Sequence, residues 1–351
     1  MTTWNYENYQ QWIKDDCKIN DIVVLLDVEN CDLTKLSENI DNLINLQELF
    51  CDGNKLTKLP ETLGNLINLQ VLYCSHNKLT ELPETLGNLI NLKELYCNNN
   101  KLIELPKTMC NLINLQKINC SYNQLKELPK TLNNLINLRE LFCYNNQLIE
   151  LSKTLGNLIN LQVLWCNSNQ LIKLPKTLGN LINLRKLDCD NNELTELPKT
   201  LNNLINLKYL YCSFNKLIKL PFNNLINLRI LVCTHNQLIE LPISIIKLKH
   251  LEYIQYDENI RLLINLRRFI ERIGNKINNN VHNNTIQASL LDSINILLSE
   301  TITKKIDIVK DNILDNKTKS IIYNYIDDKT VGELLINFEE LLVYVLEKIE
   351  N

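Results

Sequence analysis

The chain is 351 residues long, 45% hydrophobic and 22% charged, with a formal net charge of −3. That balance leaves no basic footprint for nucleic acid and no acidic tail. No apolar stretch is long enough to span a bilayer, and the opening Met-Thr-Thr-Trp-Asn-Tyr-Glu has no apolar signal core, so a soluble, cytoplasmic protein is expected.

Residues 1–20 precede any repeat. Trp4, Tyr9, Trp12 and Ile13 fall at helix-compatible spacing and predict a short amphipathic cap over the apolar end of the first repeat. From 21 to 259 one frame returns every 23 residues; the copy at Leu69 reads L-Q-V-L-Y-C-S-H-N-K-L-T-E-L-P-E-T-L-G-N-L-I-N. Its skeleton, L-x-x-L-x-C-x-x-N-x-L, starts at Leu46, Leu69, Leu92, Leu115, Leu138, Leu161, Leu184, Leu207 and Leu228. With a divergent copy at Val23 and a degraded one at Leu251, about eleven coils are present.

Each copy predicts three parts. L-x-x-L-x-C is a short strand with Leu and Cys turned into the core. The Asn after it (Asn54, Asn77, Asn100, Asn123, Asn146, Asn169, Asn192, Asn215, Asn236) turns the chain, and its amide can bond backbone groups of adjacent coils. The remainder carries Pro and then Leu at helical spacing, predicting a short helical or 3-10 segment on the far side. All eight prolines hold this one position, which Ser152 takes in the copy at Leu138. The coil at Pro221 is two residues short in this segment, so its strand should survive.

Twelve cysteines suggest a disulfide framework until they are placed. Nine of them (Cys51, Cys74, Cys97, Cys120, Cys143, Cys166, Cys189, Cys212, Cys233) share the inward position after L-x-x-L-x. In-register parallel strands hold equivalent atoms about 4.8 Å apart, which does not suit the Cβ spacing and dihedral of a disulfide. Cys31 takes an Asn slot and Cys110 a far-side segment. With no C-x-x-C or Cys/His cluster, metal binding has little support, and the column reads as small core hydrophobes kept reduced.

After 259 the frame dissolves. Residues 260–276 predict an amphipathic capping helix, with Leu263, Leu266, Phe269, Ile270 and Ile273 on one side. An Asn-rich stretch, 275–285, reads as a linker, and 277–351 as a helical domain with helices near 286–299, 302–315, 317–327 and 331–349. Thr330 and Glu333 form a capping box for the last.

The quoted frame resembles the 23-residue intracellular class of leucine-rich repeats, as in Ras-suppressor-like proteins. The close copying of N-L-I-N-L, the Asn bias and the Cys resemble repeat proteins of giant amoebal DNA viruses. The resemblance implies an α/β fold: a right-handed horseshoe solenoid with a parallel sheet on its concave face, protein binding there, and here a helical region after it. The chain departs from that family in having Cys where Leu is usual.

The strand residue between the second Leu and the Cys points away from the core. Down the coils it is Phe50, Tyr73, Tyr96, Asn119, Phe142, Trp165, Asp188, Tyr211 and Val232, an aromatic stripe with two polar interruptions. Tyr144, Tyr122 and Phe214 lie near it. Aromatics are good strand residues and stack on one another for stability, but an exposed aromatic strip also marks a binding surface. The expected partner-binding set is Phe50, Tyr73, Tyr96, Phe142, Tyr144, Trp165, Asp188 and Tyr211. Flanking columns of mixed charge, such as Glu48, Glu94, Lys117, Glu140 and Lys186, suit a protein or extended peptide better than nucleic acid.

The search for chemistry is empty. His76, His235, His250 and His282 belong to no metalloprotease motif, and no phosphate-binding loop or nucleophile elbow occurs. No Cys comes after Cys233, which excludes a thioester ligase mechanism from the last domain. The expectation is a monomeric, non-enzymatic interaction scaffold without cofactor, metal, nucleic-acid or membrane partner. The alternative is a substrate-recruiting adaptor of a ubiquitin-ligase-type assembly, and glycan binding is a weaker third. The cysteine column yields the first test: its thiols should resist alkylation until the protein is unfolded, and rapid labelling of most of them in the native state would contradict the reading.

Overall fold

Twelve parallel strands stack in strict chain order into one sheet. The computed structural model describes residues 2–257, apart from 223, 240, 243, 244, 246, 247 and 249. By contacts the chain divides into two units, Met1–Asp257 and Glu258–Asn351. The helices expected at 260–276 and across 286–351 lie outside the described residues.

Strand β1 is Thr2–Trp4, β2 Val23–Asp27, β3 Glu48–Phe50, β4 Val71–Tyr73, β5 Glu94–Tyr96 and β6 Lys117–Asn119. Then come β7 Glu140–Phe142, β8 Val163–Trp165, β9 Lys186–Asp188, β10 Tyr209–Tyr211, β11 Ile230–Val232 and β12 Tyr253–Gln255. Equivalent residues pair across rungs, Leu49 with Leu72 and Leu72 with Leu95. In each three-residue rung from β3 to β11 the central Leu or Ile is buried and its neighbours are half-buried or exposed. The short coil keeps this register, Leu210 opposite Leu231. There Phe222, 1% exposed, fills core space next to Pro221.

The nine repeat cysteines are fully buried and free. Cys51 Sγ donates to Tyr73 O on the next rung at 3.1 Å, and Cys189 Sγ to Tyr211 O at 3.3 Å. Each of those carbonyls already accepts the backbone N–H of the same cysteine. A thiol therefore fills a small core site and adds a weak donor that leucine lacks.

The turn asparagines tie the coils together more firmly. Asn123 Oδ1 accepts from Leu102 N, one coil earlier, at 3.0 Å. Its Nδ2 lies 3.1 Å from Cys97 O of that coil and 3.1 Å from both Cys120 O and Ser121 O of its own. The same pattern recurs at Asn77, Asn100, Asn146, Asn169, Asn192, Asn215 and Asn236. A second row, the Asn of N-L-I-N, also reaches back one coil; Asn91 Nδ2 donates to Ile67 O at 2.9 Å.

On the far side Pro60, Pro83, Pro106, Pro129, Pro175 and Pro198 each precede a short 3-10 turn such as Glu61–Asn65, which opens when Leu63 N donates to Pro60 O. Ser152 does the same and adds a side-chain bond from Thr154 N. A threonine in each turn donates to the preceding coil: Thr85 to Glu61 O at 2.7 Å, Thr177 to Lys153 O at 2.6 Å. It sits against a glycine of that coil. A Cβ on Gly64 or Gly156 would fall 2.4 and 2.3 Å from the carbonyl oxygens of Thr85 and Thr177. Where Cys110 and Asn133 replace the glycine the threonine bonds are 3.4 and 3.1 Å, whereas with Asp41 in that place Thr62 still donates to Glu38 O at 2.6 Å.

The N-terminal segment departs from the expected helix in one respect. Helix α1 is Tyr6–Lys14, opened by a capping box between Asn5 and Asn8, but Trp4 belongs to β1, which pairs with β2. Ile13 is 38% exposed and lies off the buried face. Tyr9 is fully buried, and its hydroxyl accepts from Ser37 N at 2.7 Å. Burial pushes that phenol up to about 12. Trp12 is buried beside it and donates from Nε1 to Lys18 O at 2.7 Å. The apolar edge of β2 gains a paired strand as well as a helix.

Removing one turn asparagine strands buried groups on two coils at once. Each such group costs about 1–3 kcal/mol, so Asn123→Ala should destabilise by roughly 3 kcal/mol or more in urea unfolding, and the exposed Gln147→Ala by far less. A loss under about 1 kcal/mol at Asn123 would show that this column does not hold the coils together.

Candidate functional site

Phe50, Tyr73, Tyr96, Phe142, Trp165, Asp188 and Tyr211 each end a strand one residue after its buried centre, so their side chains share the outward face of the sheet. They do not form one continuous stripe. Phe50 and Tyr73 have ring centroids 5.0 Å apart, and Tyr73 and Tyr96 4.5 Å. Tyr73 Oη donates to Glu94 Oε2 at 3.1 Å, and Glu94 in turn pairs with Lys117 at 3.2 Å. Burial and the Glu94 carboxylate raise the Tyr73 phenol well above its ordinary value. Asn119 ends this group, with its Oδ1 turned onto Ser121 of its own chain segment.

The second group is built edge to face. Phe142 and Trp165 lie 5.0 Å apart, Tyr144 and Trp165 6.0 Å, and Tyr122 and Tyr144 5.3 Å. Tyr144 and Tyr122 come from the turn after the strand, so the cluster is two residues wide where the first is one. Such T-shaped contacts match ring edges to ring faces.

Backbone geometry marks a column that the strand pattern did not single out. The residue before each turn asparagine is left-handed: Gly53 (φ 65°), His76 (51°), Asn99 (54°), Tyr122 (50°), Asn145 (51°), Ser168 (53°), Asn191 (51°), Phe214 (52°) and His235 (55°). Gly and Asn suit that region; a bulky ring does not. Tyr122 and Phe214 are nevertheless about half exposed, at 48% and 53%. Phe214 stacks on His235 at 4.1 Å, a pair that sequence reasoning left unjoined. The only sequence signal was ring-bearing residues in a column otherwise Gly, Asn or Ser.

Asp188 fills the place between Trp165 and Tyr211, in register with both. Its Oδ1 accepts from Asp190 N at 3.0 Å, and Asp190 Oδ1 accepts from Ser213 N at 2.5 Å. Burial pushes Asp188 up to about 6, and burial together with Asp188 pushes Asp190 up to about 7. Asp52, bonded from Ser75 N, is likewise pushed up to about 6 by burial.

Among the described residues no group of three or more His, Cys, Asp or Glu could hold a metal ion. No helix there is long and apolar enough to cross a membrane.

A family model described as a leucine-rich repeat region matches residues 21–151 and 84–198, together just over half of the chain. No curated protein matches. Among solved structures, a leucine-rich repeat protein of Leptospira interrogans is 33% identical over 67% of this chain and 66% of its own, with a TM-score of 0.58. The functional domain of InlJ from Listeria monocytogenes, which includes a cysteine ladder, is 29% identical over 67% and 54%, with a TM-score of 0.56. A plant peptide hormone receptor in complex with RGF2 is 26% identical over 68% and 43%, with a TM-score of 0.54. The chain thus spans from about two-fifths to two-thirds of those proteins.

The raised carboxylates make a prediction about pH. Their folded values of about 6 and about 7 exceed the roughly 3.9 of an unfolded aspartate, so between those limits the folded chain holds protons the unfolded one has released. Their contribution to stability is present in acid and is lost as pH rises through the folded values. The chain should therefore lose stability in urea between about pH 4 and 7, and Asp188→Asn with Asp190→Asn should flatten that slope. An equal slope in the double variant would contradict the assignment.

Proposed function

Because this chain belongs to the leucine-rich repeat family, we propose that it is an interaction scaffold that holds a protein or extended peptide on the outward, concave face of its sheet. The anchors are Phe50, Tyr73 and Tyr96 in one group and Phe142, Tyr144 and Trp165, joined by Tyr122, in the other. Asp188 and Tyr211 continue the surface toward the C-terminal coils. The mixed charges beside them set register.

The observation that carries this reading is the strained exposure of Tyr122 and Phe214. A coil that needed only its turn is served by Asn or Gly, as at Asn99, Asn145, Asn191 and Gly53. A ring held left-handed costs of order 1–3 kcal/mol, and half of its surface meets no part of the described chain. Ring-to-ring packing accounts for the strand column and for one side of each turn ring, Tyr122 on Tyr144 and Phe214 on His235; it leaves their exposed half without a role. A partner that stacks on these rings supplies one.

Within the family the 23-residue frame and reduced thiols point to the intracellular class and a cytoplasmic site of action. The chain acts without catalysis. The plant receptor similar to it was solved with RGF2, which supports a peptide-sized ligand.

The test is affinity for a partner recovered on the intact chain from its natural cell. Tyr144→Ala with Trp165→Ala should weaken binding by about 2 kcal/mol or more, some thirtyfold, while far-side Ile136→Ala leaves it unchanged. Unchanged affinity in the folded double variant would sink the aromatic reading.

A further inference from the structure

Along the outward column the order Trp165, Asp188, Tyr211 places a carboxylate on the rung between two ring-bearing rungs, whose strands lie about 9.6 Å apart at twice the strand spacing. The next column supplies Asn167, Asp190 and Ser213 on the same three coils. Both carboxylates are half-buried, yet among the described residues neither has an ion-pair partner. The nearest lysine on that strand, Lys186, lies instead over the Tyr209 ring, 5.3 Å from its centroid. Beside Asp190, Asn167 Oδ1 is buried and has no hydrogen-bond partner, the one such side-chain atom among the described residues.

These features share a missing complement. A buried acceptor without a donor is rare in a folded protein, and its place beside Asp190 marks this strip as incompletely satisfied. Two uncompensated carboxylates want a positive charge. Rings on the rungs either side of Asp188 lie within reach of a cation held at that carboxylate. Asp190 N and Ser213 N occupy one oxygen of each carboxylate, leaving the others free to accept.

We propose that Trp165, Asp188 and Tyr211, with Asp190 and Asn167 beside them, form a slot for an arginine side chain of the partner. Guanidinium fits better than ammonium: it is planar, stacks on rings, and has five N–H donors in a fixed fork for several separate acceptors. The aromatic cluster at Phe142 and Tyr144 lies immediately before the slot in coil order. The ligand is then an extended peptide with an apolar residue on that cluster and an arginine one or two rungs further on. This deepens the scaffold reading and rests on it for the peptide, but not for the slot itself.

Two measurements on the full chain separate the claims. The first titrates N-acetyl-arginine amide and monitors the indole N–H signals of the three tryptophans by NMR. The Trp165 signal should shift and those of Trp4 and Trp12 should not. N-acetyl-citrulline amide, planar but neutral, should have no effect, and the lysine analogue a weaker one. Asp188→Asn should weaken the arginine effect by more than about tenfold. That variant removes a half-buried carboxylate whose ionisation opposes folding, so it keeps the fold at neutral pH; thermal unfolding verifies this. Equal response to citrulline, or an undiminished response in Asp188→Asn, overturns the slot.

The second probes an array of extended peptides. Arginine should be enriched among binders of the intact chain, and Asp188→Asn with Asp190→Asn should abolish the enrichment. Binders that need Phe142 and Tyr144 but show no arginine preference overturn the slot and leave the scaffold reading standing. Binders indifferent to Phe142→Ala and Tyr144→Ala overturn the scaffold reading, and the Trp165 titration then decides the slot alone.

Discussion

The architecture depends on one side chain used many times: an asparagine amide that bonds backbone groups of two coils together. Three-residue strands have few ladder bonds of their own, and a turn after each would leave N–H and C=O groups buried without partners. Asn123 and its equivalents close that deficit with an acceptor to the previous coil and a donor shared between the two. No other side chain has both a carbonyl oxygen and an NH2 on so short a stem. The first coil tolerates Cys31 in this slot, because the cap before it carries no repeat turn to be tied.

With rungs held from the turn and from the Leu–Cys core, residues on the outer face are released from structural duty. That freedom explains how one column can run from Phe50 to Asp188 without disturbing strand register. It also explains why the outer face accepts costs that a core would reject. Tyr122 and Phe214 hold strained backbone, and Asp188 and Asp190 are ionisable groups in a half-dry setting. Local departures from good folding practice, gathered on one face, are the mark of a surface shaped by something outside the chain.

The 23-residue period made the strands, the Leu–Cys core and the turn asparagines legible, since one residue type recurs wherever one environment recurs. Contacts between coils were not legible. The glycine of L-G-N gives no reason for itself within its own copy; the reason is Thr85 or Thr177 of the next coil pressing on it. Spacing alone groups Trp4 with the helix, because it does not reveal that β2 has an open edge to pair. The outward aromatic column and its interruption at Asn119 were legible from alternation, but the folding of the Asn119 side chain back on Ser121 was not. The raised pKa values of Asp188 and Asp190 arise from burial between rungs, which no spacing encodes.

The central claim is that the ligand sits on the outward face of the sheet and not on the far side of the coils. A photo-crosslinking residue tests it directly, placed at 142 in one version of the chain and at 136 in another, since Ile136 is 56% exposed in the N-L-I-N segment. The partner should be trapped from position 142 and not from 136. Efficient trapping from 136, with none from 142, would contradict the claim.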